Sequence, residues 1–408
     1  MSNSPKRGAI TYETEATFGV DTTTFTTFRL PLVGQVDCSG LKQAKMDTDR
    51  VTQRRQDGTQ WILGTFKDSS FKTKFWLPGH GAATSGATSL NAFETLLGYV
   101  FGNSAVSAAN GTTFTGGTAS VPTTTASGTF SAGALCRGGS LADARGNGQW
   151  FAISTHSATT LNLLTAMDGA PTNGDVLYSA AMVYPSEAPT STTIQSLRFL
   201  LQTANLMYEL HGCVAIAASI GGLKAGDVPF IEVTWSCAWW RYSTTTFPSS
   251  VSTDTSQPAA NAAGSLFVQD VGTVTRAKRT YRDLTIDYTL GVELLPGPGG
   301  VNQYQEIVGA VRTVDQIKVS WVEDADAATT SPVLPGYGTG TTAKHILATL
   351  NPTAQKSMGI YMPNVCVTNV AVQYADNNIN RLKIEGMAYT GTTTTNDLTA
   401  SAIRIGFA

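Results

Sequence analysis

The stretch HGCVAIAASIGGLKAGDVPFIEVTWSCAWWRY, from His211 to Tyr242, decides the fold class of this chain. Two runs rich in apolar and β-branched residues flank the segment GGLKAGD, whose glycines favour a turn. In the second run apolar and polar residues alternate with a period of two, which is typical of a strand with one buried face. The predicted core face carries Ile231, Val233, Trp235, Cys237 and Trp239, and the opposite face carries Glu232, Thr234, Ser236 and Trp240. The stretch therefore predicts antiparallel strands of a half-buried sheet.

The same alternation recurs towards the C-terminus. A strand is predicted from Leu284 to Leu294, with Asp283, Asp287 and Glu293 on its polar face. Its predicted apolar face carries Leu284, Ile286, Tyr288, Leu290, Val292 and Leu294. Further apolar faces carry Ile317, Val319 and Trp321, and Leu382, Ile384, Gly386 and Ala388. The turn-forming residues ADNN at 375–378 predict a hairpin with residues 365–374, so the fold class is mainly β, a sandwich or barrel.

One helix and one long polar segment interrupt this pattern. Apolar residues spaced three and four apart predict a helix from Leu90 to Phe101, with Ser89 as its N-cap and Gly102 at its end. The segment LKQAKMDTDRVTQRRQDGTQ, residues 41–60, is rich in charge and poor in apolar residues. It predicts a long solvated loop or arm, either a plain surface loop or a subunit contact.

A change in composition predicts the domain organisation. After Asn103 the chain becomes rich in Thr, Ser, Ala and Gly, then returns to short strand-like runs that end in the segment PSEAP. We therefore expect residues 104–189 to form an inserted small β domain, and residues 1–103 and 190–408 to form one discontinuous β domain. Residues 243–263, again rich in Ser, Thr and Ala, predict an exposed loop.

Composition and charge exclude several classes of protein. The 408 residues are 42% hydrophobic and 14% charged, so the chain can bury a sizeable core. The formal net charge of -2 gives no basic field for tight binding of DNA or anionic lipid. The chain shows no apolar signal core and no apolar run long enough to cross a bilayer, so we expect it to fold in a cytoplasm. Five widely spaced cysteines predict reduced thiols.

Catalytic patterns are not found in the sequence. It contains no H-E-x-x-H, C-x-x-C, G-x-S-x-G or P-loop motif, and its four histidines lack metal-ligand spacing. We therefore predict a protein that is not an enzyme, with no catalytic residues, no metal and no cofactor. Asp283, Asp287 and Glu293 leave a glycosidase open as a distant alternative, since carboxylates on one strand face lie roughly 7 Å apart.

Several segments together resemble the tail tube proteins of long-tailed bacteriophages. In that family a strand runs into a G-C-V start, followed by a small alternating strand, a Gly/Lys/Gly turn and another strand. Here the matching residues are Gly212, Cys213, Val214, Ile216, Ile220, Lys224 and Gly226. ETEATFGV at 13–20, the helix ending at Gly102, YMPNVCV at 361–367 and IRIGFA at 403–408 resemble the family in the same order. FSAGALCRGG and the strands after it resemble a small β domain that some members carry on the outside of the tube.

The resemblance implies a tail-tube-like fold and a structural function. Such proteins form hexameric rings that stack into a tube, a channel that delivers DNA into the host. The implied partners are further copies of the chain, other tail proteins such as the tape measure and tail terminator, and passing double-stranded DNA that is not specifically bound. The implied location is the virion tail, assembled in the host bacterial cytoplasm, with no membrane involved. A carbohydrate-binding β-sandwich module of a virion or cell surface is the alternative.

Two sets of residues follow from this expectation. DNA slides only past a wall that does not bind phosphate, so acidic and small polar side chains are expected there. The residues predicted to face the lumen, or else external solvent, are Glu232, Thr234, Asp283, Thr285, Asp287, Thr289 and Glu293. The residues predicted to form an arm between stacked rings are Lys42, Lys45, Arg50, Arg54 and Arg55.

Overall fold

The structure is a computed structural model of the chain. It describes residues 8–20, 25, 30–42, 45–48, 60–63, 69–81, 86–125, 129–139, 141, 148–185, 194–203, 206–243, 247, 260–261, 264–274, 278–279, 281–297, 307–324, 343–351, 356–374, 380–390 and 397–408. The fold is mainly β, as predicted, with antiparallel sheets, one of which is nearly closed and barrel-like.

One large sheet contains most of the strands. Its members are β1 (Ala9–Thr14), β4 (Ser70–Trp76), β5 (Gly102–Val106), β12 (Ala181–Pro185), β13 (Leu197–Thr203), β14 (Leu206–Gly221), β15 (Phe230–Ser236), β16 (Trp239–Tyr242), β17 (Ser265–Asp270), β18 (Lys278–Arg279), β19 (Tyr281–Thr289), β22 (Gln316–Asp324), β23 (Lys344–Leu350), β24 (Met358–Tyr374), β25 (Asn380–Ala388) and β26 (Arg404–Phe407). The main path runs β1-β13-β14-β19-β22-β25-β24-β23-β17-β18, and β15 joins β14 to β4.

Three smaller sheets and two helices complete the described elements. The six-stranded sheet contains β6 (Thr112–Gly117), β7 (Pro122–Thr124), β8 (Leu135–Gly138), β9 (Trp150–His156), β10 (Leu161–Leu163) and β11 (Val176–Tyr178). Two hairpins consist of β2 (Lys45–Thr48) with β3 (Gln60–Leu63), and β20 (Val292–Pro296) with β21 (Ile307–Arg312). The helices are α1 (Ala92–Phe101) and α2 (Asp397–Ala400).

The predicted period-two faces are confirmed where they build the core. Ile231, Val233 and Trp235 of β15 are buried, and so are Leu284 and Ile286 of β19. The predicted faces of β22 and β25 are buried as well, and β24 pairs with β25 from Val365↔Ala388 to Tyr374↔Asn380, the expected hairpin. Full burial of one such aliphatic side chain contributes about 1.5–3 kcal/mol, which is why the alternation fixes which face turns inward.

β14 is a long strand of 16 residues that bends at Gly212. Before the bend it pairs with β13 and β16, and after it with β15 and β19. Gly212 has φ 61, in the left-handed region, and a Cβ there would lie 2.6 Å from the Cβ of Ala238. Only glycine fits this bend without strain, which explains the glycine in the first quoted segment.

The predicted helix starts later than expected. Its N-cap is Asn91 and not Ser89, because Asn91 and Glu94 form a reciprocal capping box. Asn91 Oδ1 accepts from the Glu94 amide at 2.8 Å, and Glu94 Oε2 accepts from the Asn91 amide at 2.9 Å. The predicted end at Gly102 is confirmed, with φ 116 at the C-cap. Arg312 of β21 donates to the carbonyl of Phe101 at 2.9 Å and so satisfies a terminal acceptor of the helix.

The prediction of one strand from Leu284 to Leu294 is wrong. β19 ends at Thr289 and β20 begins at Val292, because Asp315 fixes a corner between them. Asp315 Oδ1 accepts from the Gly291 amide at 2.7 Å, and Asp315 Oδ2 accepts from the Tyr288 hydroxyl. The chain therefore leaves the large sheet at Gly291.

The prediction of a long solvated loop or arm at residues 41–60 needs one correction, because part of this segment is β-strand and not loop. β2 and β3 pair as an antiparallel hairpin, from Lys45↔Leu63 to Thr48↔Gln60. The residues between these two strands lie outside the described part of the chain.

The six-stranded sheet lies within residues 112–178, inside the predicted insertion. The flanking strands β5 and β12 pair with each other, and β12 also pairs with β26, so both belong to the large sheet. Trp150 of β9 joins the two sheets: it is fully buried and its indole N–H donates to Ser357 Oγ at 2.8 Å. Its ring lies so close to Gly359 that a Cβ there would be 2.3 Å away.

Candidate functional site

Four of the predicted lumen residues meet on the polar side of the large sheet. β14 lies between β15 and β19, and Ser219 of β14 faces both Glu232 and Asp287 across the strands. Ala217 in turn faces Thr234 and Thr289. These residues line a shallow depression of about 170 Å³. Because Ala217 and Ser219 on the central strand are small, the side chains of Glu232 on β15 and Asp287 on β19 remain accessible.

Hydrogen bonds hold the polar side chains of this face in place. Ser219 Oγ donates to Asp287 Oδ1 at 2.7 Å, and the hydroxyls of Thr285 and Ser320 are 2.6 Å apart. Asp283 and Asp287 are exposed, as a polar face requires. We refer to the outward sides of β4, β15, β14, β19, β22 and β25 as the polar face.

Glu293 does not belong to the polar face. It lies on β20, which pairs with β21 in a separate hairpin, with Glu293 opposite Val311. The corner at Gly291 removes Glu293 from the row of Asp283 and Asp287, so the grouping of all three on one strand is wrong.

Sequence reasoning missed the lysines of the polar face. Lys72 and Lys74 of β4 face Thr234 and Glu232 across the pairing with β15, and Lys318 of β22 faces Asp287. Their signal was present, because each alternates with buried residues in the strands SFKTKFW and QIKVSWVED. The polar face therefore carries both signs of charge, whereas the sequence led us to expect an acidic wall.

Most cations of the polar face lie near an acidic group. Lys72 Nζ is 3.9 Å from Glu232 Oε1, and Lys383 Nζ is 2.7 Å from Glu385 Oε1. At the far end, Arg282 Nε lies 2.6 Å from Asp324 Oδ1, and Arg381 Nε lies 3.8 Å from the same oxygen. Lys74 is instead placed over an aromatic ring, with its Nζ 3.6 Å from the centroid of Phe230. Pairing of this kind leaves little net positive field to attract phosphate.

Few of the predicted arm residues can be placed. Lys42 is exposed, and its backbone exchanges hydrogen bonds with Ser69 Oγ, the carbonyl accepting at 2.6 Å. Lys45 begins β2. Arg50, Arg54 and Arg55 lie outside the described residues. The contact between stacked rings thus stays a prediction.

A buried ionic cluster lies at the bend of β14, and sequence reasoning missed it. Glu15 accepts from the amide of Gly212 at 3.0 Å, from that of Gly19 at 2.9 Å and from Ser196 Oγ at 2.7 Å. The His211 ring is fully buried, stacks on Trp239 with centroids 3.8 Å apart, and has a carboxylate 3.7 Å from each ring nitrogen. The two carboxylates belong to Glu15 and Glu209.

Glu209 is the most strongly perturbed member of this cluster. The interaction with His211 holds the pKa of Glu209 well below the usual range, although burial acts to raise it. Hydrogen bonds from Ser243 at 2.7 Å and Arg241 at 2.8 Å lower the pKa further. Arg198 Nη2 adds a further contact at 3.6 Å. Glu209 is therefore an ionised structural group, because its charge is matched by neighbours.

The described residues show no arrangement for metal chemistry. Among them, no group of three or more His, Cys, Asp or Glu side chains is placed to hold a metal ion. All five cysteines lie in the described part and none is paired with another, with Cys136, Cys213 and Cys237 buried. In the same part of the chain, no helix has the length and apolar character needed to cross a membrane.

No model of a known protein family matches the chain, and no curated protein matches it.

Proposed function

We propose that this chain is a structural subunit of a bacteriophage tail, which forms hexameric rings that stack into a tube for DNA delivery. The observation that carries the proposal is the polar face on a nearly closed, barrel-like sheet. In the assembled ring this face lines the bore, and sheets of neighbouring copies continue one another around it. The six-stranded sheet then lies on the tube exterior.

The electrostatics of the polar face suit passage of DNA. Binding of DNA gains its strength from lysines and arginines that displace counterions from phosphates. Here Lys72 and Lys383 each have a carboxylate within 4 Å, and Lys318 faces Asp287 across the strands. Because Lys72 and Lys383 are already paired with carboxylates, DNA would meet a polar and weakly charged wall over which it can slide.

An open sheet edge on β24 could serve ring closure. In the described part of the chain, residues 368–374 of β24 pair with β25 alone, since the pairing of β24 with β23 ends at Val365. The far edge of β4 is instead covered, with the amides of Val33 and Lys72 hydrogen-bonded across it at 2.7 Å and 2.9 Å. An open edge pairs with another chain unless it is protected, so β24 is the edge that a neighbouring copy would complete.

The resemblance gains support from the contact between two of its segments. Glu15 comes from ETEATFGV and Gly212 from the segment that begins HGC, and the Glu15 carboxylate accepts the Gly212 amide at 3.0 Å. Segments 197 residues apart thus build one junction, where β14 turns from one part of the sheet into the other. Further copies of the chain, the tape measure and the tail terminator are the partners that this function requires.

A substitution at the open edge tests the proposal. Val372 of β24 is 53% exposed, and Val372→Lys places a charge on the edge that ring closure would pair. Leu206, 50% exposed at the start of β14, provides the matched control Leu206→Lys. Negative-stain micrographs of the purified proteins should show rings or tubes for the wild type and Leu206→Lys, and separate particles for Val372→Lys. Rings in all three, or in none, would contradict the proposal.

A further inference from the structure

A cavity of about 750 Å³ lies where the six-stranded sheet meets the large sheet, away from the polar face. Ile153 of β9 and Leu163 of β10 line it from one side, and His345 of β23 and Tyr361 of β24 line it from the other. Its volume is within the range of sites that hold small organic molecules.

Three exposed valines lie at the rim of the cavity, beside polar residues that include Thr155 and Asn162. Val121, Val271 and Val274 line it and are 39%, 46% and 38% exposed. They come from two separate parts of the chain, the segment before β7 and the segment after β17. Exposed apolar side chains that converge on one opening indicate a surface that receives an apolar group.

The buried end of the cavity is cationic. Arg404 lines it at 1% exposure and donates to the carbonyls of Gly133 and Thr399, each at 2.9 Å, and to Ser401 Oγ at 3.2 Å. A guanidinium has five N–H donors, so these three bonds leave two without an acceptor in the described part of the chain. Among the described residues Arg404 forms no ion pair with a carboxylate, and its guanidinium carbon lies 5.4 Å from the centroid of the Tyr361 ring.

This cation stays charged although it is buried. Burial lowers the pKa of Arg404 to about 10, still far above neutral pH. A buried charge without a counter-charge is costly, and proteins normally supply an anion for it. The tyrosine at this end, Tyr361, has its pKa raised to about 12 by burial, so it remains neutral and supplies no anion.

We propose that the cavity binds an organic carboxylate with an apolar body. The carboxylate lies beside Arg404 at the buried end, and the aliphatic body contacts the valines of the rim. Charge at one end and apolar surface at the other match this class of molecule and disfavour cations and neutral sugars. The site is independent of the tube function, since it lies outside the polar face.

Octanoate is the probe for this site, with octanamide as the matched neutral molecule. Titration calorimetry on the full chain should detect octanoate, and octanamide should bind at least about tenfold more weakly, because the charge-assisted hydrogen bonds to Arg404 are lost. Failure of octanoate to bind at up to about 10 mM, or equal binding of octanamide, would overturn the proposal.

Variants at the rim locate the site. Val274→Glu places a negative charge at the opening and should weaken octanoate binding by about tenfold or more. Val314→Glu adds the same charge at an 85% exposed position in the β21–β22 connection and should bind like the wild type. Equal affinities of the two variants would also overturn the proposal. Arg404→Gln should abolish binding if circular dichroism shows it folded; should it unfold, the two valine variants decide.

Discussion

At the residue scale, the ionic cluster at the bend of β14 shows what the sequence could and could not predict. Gly212 was singled out by its segment, and the structure gives the reason in its left-handed backbone and its contact with Glu15. His211 and Glu209 carried no signal, because burial and the stacking of His211 on Trp239 arise only once β14 and β16 pair. Contacts between distant segments leave no local pattern.

Glu209 makes stability depend on pH in a definite direction. Its pKa in the folded chain is lowered below the ordinary value of 4.5, so the unfolded chain takes up its proton first as the pH falls. Its stabilising contribution is full above about pH 5 and is lost as the pH falls towards the folded pKa. We expect Glu209→Gln to be less stable than the wild type at neutral pH, and the difference to shrink in acid.

Thermal unfolding between about pH 7 and pH 3 measures this difference. Glu385→Gln is the matched control, because Glu385 also has a lowered pKa, mainly through its hydrogen bond with Lys383, but lies in an exposed pair that solvent screens. A Glu209→Gln variant with the pH profile of Glu385→Gln would show that the cluster adds no pH-dependent stability.

At the scale of elements, alternation predicted the faces of strands better than their ends. The buried sides of β15, β19, β22 and β25 follow from a period of two, since apolar burial dominates the energy of each strand. The ends depend on single side chains from elsewhere, such as Asp315 at the corner before β20. The lysines of the polar face follow the same alternation, but which acidic residues lie beside them depends on strand pairing, which the sequence does not show.

The start of α1 gives a direct test of the cap assignment. Asn91→Ala removes the side chain that accepts from the Glu94 amide and should lower the free energy of unfolding by about 1 kcal/mol. Ser89→Ala, two residues earlier at an exposed position, should leave it unchanged. Urea unfolding of both variants measures the effect. A larger decrease in the free energy of unfolding for Ser89→Ala than for Asn91→Ala would favour Ser89 as the N-cap, as the sequence predicted.

At the scale of the whole molecule, the account depends on the balance of charge across the polar face. Glu232→Lys with Asp287→Lys replaces two acids that face Ser219 and makes the face basic. The assembled variant should bind double-stranded DNA in gel-shift assays, with affinity that falls steeply with salt, whereas the wild type should not. Glu293→Lys, on the separate β20–β21 hairpin, should behave like the wild type.

Binding by Glu293→Lys but not by the double variant would place the DNA path at the β20–β21 hairpin instead. It would also restore the original grouping of Glu293 with the lumen residues, which the corner at Gly291 argues against.

The most direct measurement is an electron cryo-microscopy map of the assembled protein. The account predicts a six-fold ring with a central bore, with Glu232 and Asp287 on its wall and with residues 368–374 of β24 paired to the next copy. A monomer at every concentration, or a ring whose bore is lined by the six-stranded sheet, would contradict it.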